Sequence, residues 1–223
     1  MSEFVDGKIV GYNEKTGTLS IIAKYPDAVT LLRRGYERCR IELLDDRSIS
    51  PKQRNFIYKL FRAVSEHTGM SVDDVKDALK LTYREANFIE EDFSLGDMPM
   101  SQAYEFQKFL VRWVIDNDIP CEWRLLDYVD DVEDYVYACL RAKKCCICGK
   151  HTDLHHTQRV GMGRDRNEIN HIGMRALPLC RVHHEEAHLI GEETFEQRYH
   201  LPNGIPIDET ICRIYGLKGE ADA

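Results

Sequence analysis

Eight of the nine histidines follow residue 150, and four of the eight cysteines lie between residues 145 and 180. This crowding constrains the fold more than any other feature of the chain, because clustered Cys and His in a reduced protein indicate metal binding before they indicate disulfides. Two interleaved sets separate by spacing. The first is Cys145-x-x-Cys148-Gly149 with Cys180-x-x-His183. Two knuckles, each with ligands three residues apart, suit a closed tetrahedral zinc site of the Cys₃His type, with Cys146 as an adjacent substitute for Cys145.

The second set is His155-His156 with His184-x-x-x-His188. Residues at i and i+4 share one helix face, so His184 and His188 can hold one ion, and His155 can add a third ligand from a neighbouring strand. His156 then points to the other face of that strand or its bend, away from the ion. Phosphodiester hydrolysis requires this division. One metal neutralises charge on the phosphate and the leaving oxygen, and an unligated imidazole takes the proton of a water.

The net charge of −8 is uneven along the chain. Residues 45–140 hold 11 Lys and Arg against 20 Asp and Glu, which accounts for the acidity. Residues 141–181 hold nine basic residues against three acidic ones, an excess suited to phosphate contacts. Lys143, Lys144, Arg159, Arg164, Arg166 and Arg181 are the candidate DNA contacts in it. The acidic middle is expected to meet a protein partner or a second copy of the chain. No stretch approaches the ~18 consecutive apolar residues of a membrane span, and Met1-Ser2-Glu3-Phe4 does not begin a signal peptide. A cytoplasmic protein without a membrane partner is expected.

Residues 8–12 and 18–23 read as strands of a hairpin, and 38–43 alternates like a third strand, so the first 44 residues predict a small antiparallel β unit. Ser50-Pro51 with Gln53 starts a helix that stops near Gly69, Ser71 caps another through about Leu81, and Ser101 begins a third ahead of Pro120. The stripe of Phe106, Phe109, Leu110, Trp113 and Val114 predicts core. The acidic run 127–134 marks a boundary. The expected class is α+β, divided into a β unit at 1–46, a helical region at 47–135 and a zinc-stapled module at 136–223.

The runs Cys145-Cys146-Ile147-Cys148-Gly149-Lys150, Asp153-Leu154-His155-His156 and 178–188 (PLCRVHHEEAH) together resemble the HNH endonucleases of the ββα-metal superfamily, of the kind found in phages. The resemblance implies a ββα-metal fold for the module and assigns His156 as general base. It makes His155, His184 and His188 the catalytic metal ligands, and Cys145, Cys148, Cys180 and His183 the zinc staple. The family's central asparagine, which orients the base, falls on Arg175. Arginine cannot accept hydrogen bonds but can clamp a phosphate, which makes Arg175 a candidate catalytic residue. Asn167, Asn170 or His171 could supply the base-orienting contact. The helical region, 49–120, is similar to phage HNH proteins and to NinB-type recombination mediators.

The expected function is therefore a metal-dependent DNA endonuclease of phage recombination, replication or DNA processing, with structural Zn²⁺ and a catalytic Mn²⁺, Mg²⁺, Ni²⁺ or Zn²⁺. Single-strand DNA-binding protein, a recombinase or a homo-oligomeric partner joins DNA in the expected interactions. The alternative is a non-enzymatic DNA-binding recombination-accessory protein whose zinc module is structural.

Overall fold

The computed structural model describes residues 5–35, 38, 39, 41, 47–157 and 170–219, which fall into two compact units within residues 1–44 and 45–223. In the first unit β1 (Gly7–Asn13) and β2 (Thr18–Ala23) pair antiparallel, from Gly7 opposite Ala23 to Asn13 opposite Thr18, with a bulge between Ile9 and Gly11. The Asn13 side chain accepts from the backbone N–H groups of Lys15 and Thr16, and Gly17 takes the left-handed conformation that ends the turn. The expected hairpin is therefore present. A short helix that the strand pattern did not announce follows it: α1 (Ala28–Arg34), capped by Asp27, which accepts from the Thr30 N–H. Seven residues are too few to show a helical period. Of the third strand expected over 38–43, residues 40, 42 and 43 lie outside those described, and 38, 39 and 41 belong to no strand.

The second unit opens as the capping chemistry predicts. Ser50 Oγ accepts from Gln53 N–H and the Gln53 side chain accepts from Ser50 N–H, a reciprocal box that starts α2 (Pro51–Thr68), and Gly69 ends it at φ 76°. Ser71 starts α3 (Val72–Ala86), which runs past Leu81 because Tyr83 extends the buried i, i+4 row of Val75 and Leu79. α4 (Met100–Asp116) buries Phe106, Leu110 and Val114 and packs Phe109 and Trp113 against the same core, as the stripe predicts. Phe106 meets Tyr83 and Phe93 edge to face at ring distances of 5.0 and 5.2 Å, which ties α3 and α4 together.

The acidic run 127–134 leads into a helix. Asp131 caps α5 (Val132–Arg141) by accepting from Asp134 N–H. Tyr104, Lys108 and Arg112 of α4 meet Asp131 and Asp134, so part of the acidity is spent within the unit. Residue 135, where the sequence reading divides helical region from module, lies inside α5. One continuous core runs from Ile49 to Cys212, and the Tyr135 hydroxyl donates to the Cys146 carbonyl at 2.9 Å.

Beyond α5 come β3 (Asp153–His156), β4 (Arg175–Leu179), α6 (Arg181–Ile190), α7 (Glu192–Tyr199), β5 (Ile205–Pro206) and α8 (Glu209–Tyr215). β3, β4 and β5 form a three-stranded antiparallel sheet in that order, with His155 opposite Leu177 and His156 opposite Ala176. The chain is thus a mixed α+β protein with small antiparallel sheets. Among the described residues no helix is long and apolar enough to cross a membrane.

Candidate metal centre

The Cys145 and Cys148 knuckle bridges α5 and β3. Gly149 N–H donates to Cys145 O and Cys145 N–H to Lys150 O, while Gly149 adopts φ 70°, a turn that glycine permits at little cost. Cys180 is the cap residue of α6 and His183 lies in its first turn. One ligand atom from each of Cys145, Cys148, Cys180 and His183 lies within 4.8 Å of all the others. Cys148 Sγ is 3.6 Å from Cys180 Sγ, and His183 Nδ1 is 3.2 Å from Cys180 Sγ and 3.4 Å from Cys145 Sγ.

These are the separations of ligands on a zinc tetrahedron, whose edge is about 3.8 Å for Zn–S bonds of ~2.3 Å. They are far beyond a disulfide's ~2.05 Å. Burial pushes the Cys145 thiol up to about 12. Burial also pushes on Cys180, but hydrogen bonds from the His183 backbone and the neighbouring thiols hold Cys180 below its ordinary value. Burial keeps His183 low and so neutral. Thiolates this close repel one another unless a cation neutralises them, and the four groups can hold a metal such as zinc. Cys146 is not among them. It is buried in the core, where its thiol does not join the other three sulfurs and the imidazole, so it does not substitute for Cys145.

The second set also converges. The rings of His155, His184 and His188 lie 4.5 to 5.1 Å apart, and their ligand atoms lie within 4.8 Å of one another. β3 supplies His155, which is 1% exposed, and one face of α6 supplies the other two. Burial, then the neighbouring His155 and His188, lower the His184 pKa and favour its neutral, ligating form. His155 Nε2 meets both carboxylate oxygens of Glu192 at 2.9 Å, while its buried Nδ1 has no hydrogen-bond partner. A buried, unpartnered nitrogen on a ring packed against two further imidazoles fits a divalent ion.

His156 stands outside this set. Its Nε2 lies 3.1 Å from Nδ1 of His171, which is 6% exposed and held by its backbone N–H bonding to Lys218 O. Arg175 opens β4, and its guanidinium donates to the carbonyls of Asn203 and Gly204, bracing the approach to β5. Of the candidate DNA contacts, Lys144 is paired with Asp118, Lys143 lies over the Tyr215 ring and the exposed Arg181 is paired with Glu185. Arg159, Arg164 and Arg166, with Asn167, lie outside the described residues. Glu192 went unnoticed in the sequence, and no local spacing pointed to it.

Residues 22–220 match a family model described as "Putative HNHc nuclease". No curated protein and no solved structure matches the chain.

Proposed function

The chain belongs to the HNHc nuclease family, and from that premise we propose that it is a metal-dependent endonuclease that hydrolyses DNA phosphodiester bonds with His156 as general base. One observation carries the reading: neighbouring histidines of one strand take different partners, His155 joining His184 and His188 while His156 stays outside that set and meets His171. A divalent ion held by His155, His184 and His188 would neutralise charge on the scissile phosphate and the leaving oxygen.

The protein's own groups account for the proton. With Nε2–H of His156 donated to Nδ1 of His171, the basic lone pair of the His156 ring is on Nδ1. That nitrogen takes the proton of the attacking water as the new P–O bond forms and the bond to the 3′ oxygen breaks. His171 thereby fills the orienting role that asparagine plays in the resembling enzymes, and Arg175 braces the loop at 203–204. Cys145, Cys148, Cys180 and His183 hold a structural zinc that fixes the start of α6. Lys143, Lys144, Arg181 and the basic residues at 159, 164 and 166 contact the DNA backbone. A place in phage recombination, replication or DNA processing is the setting that we propose for this activity.

Plasmid nicking with added Mn²⁺, Mg²⁺, Ni²⁺ or Zn²⁺ tests the reading. Wild type should cut, and His156→Ala should lose about 10²–10⁴-fold in rate at nearly unchanged metal affinity. DNA binding by wild type without cutting under any of these ions would instead favour the accessory-protein reading.

A further inference from the structure

We propose that Glu192 is a positioning residue for the His155–His184–His188 metal site, fixing the tautomer and the ring plane of His155. The proposal rests on the metal-dependent reading above. His155 is the buried member of the three, and its two nitrogens stand in different surroundings. Nε2 sits 2.9 Å from each oxygen of the Glu192 carboxylate, whereas Nδ1 is sealed from solvent with no partner and the ring faces those of His184 and His188. A carboxylate only accepts, so Nε2 carries the hydrogen. The lone pair is then on Nδ1, the nitrogen left to offer to an ion. Carboxylate, imidazole and metal in series orient the ring and raise the basicity of the ligating nitrogen.

The start of α7 holds Glu192 in place. Gly191, at φ 87°, ends α6 and lets the chain turn directly into α7, of which Glu192 is the first residue. One turn further on, Phe195 is fully buried and its N–H bonds to Gly191 O, which pins that first turn against the core. The carboxylate therefore reaches His155 from a helix separate from the one that supplies His184 and His188.

Co²⁺ titration of the intact chain, with the Cys site filled by zinc, reads affinity and coordination from the visible absorption and needs no cleavage assay. Glu192→Ala should bind Co²⁺ about 10–100-fold more weakly with a changed spectrum, at unchanged zinc content. Glu192→Gln, whose amide oxygen can accept the same hydrogen, should recover most of the affinity, and it decides the matter should the alanine variant fail to fold. Equal affinity in wild type and Glu192→Ala overturns the proposal and leaves the nuclease reading standing. A glutamine variant as weak as alanine overturns it too, because charge rather than orientation would then be responsible. Wild type that binds no Co²⁺ at the histidines overturns both.

Discussion

The two Cys/His clusters share a helix and differ in almost everything else. Adjacent residues of α6, His183 and His184, diverge by about 100° around the helix axis and so enter different clusters. The Cys145 cluster has four ligands drawn from two rigid turns, enough to close a tetrahedron. The His155 cluster has three imidazoles, and His188 at its edge is exposed. A closed set suits an ion that holds the fold together, and an open one leaves room for a phosphate or water. On the proposed reading, the number of candidate ligands, four against three, separates staple from reaction centre.

The largest effect should follow from opening the closed site. Cys148→Ser is expected to lose zinc and with it folding free energy of order 10 kcal/mol, so that 145–190 unfolds. His188→Ala should leave zinc content and thermal unfolding close to wild type while divalent-ion affinity and cleavage both fall. Elemental analysis with calorimetry on the two variants checks this contrast, and similar unfolding in both would erase it.

A smaller effect separates bracing from chemistry at Arg175. Its guanidinium donates to Asn203 and Gly204 carbonyls, so Arg175→Ala should cost about 1–3 kcal/mol of stability. Arg175→Asn should show a similar loss, with cleavage per folded molecule largely kept in both. Denaturant unfolding measures the first, and single-turnover cleavage the second. A collapse of cleavage at unchanged stability would make Arg175 the phosphate clamp that its sequence position suggested.

Much of this was legible because it is local. The Cys and His spacings, the Ser50–Gln53 box and the Gly69 stop are decided within a few residues, and the structure shows each of them. The contacts that complete the candidate site are not local. Glu192 meets His155 across 37 positions and His171 meets His156 across 15, and neither separation follows a helical or strand period. His171 was one of three candidates, and only packing brings it to His156. α5 was hidden because its acidic N-terminus, which caps the helix and pairs with α4, looks in sequence like a solvated boundary.

Limited chelation tests the central claim, that one cluster holds the fold and the other does the chemistry. A chelator too weak to take zinc from three cysteines and a histidine should strip the histidine site alone. One zinc per chain should be retained and the unfolding temperature unchanged, while cleavage is abolished and then restored by adding back a divalent ion. Cleavage that persists after the histidine site is stripped, or that disappears only together with the fold, would contradict it.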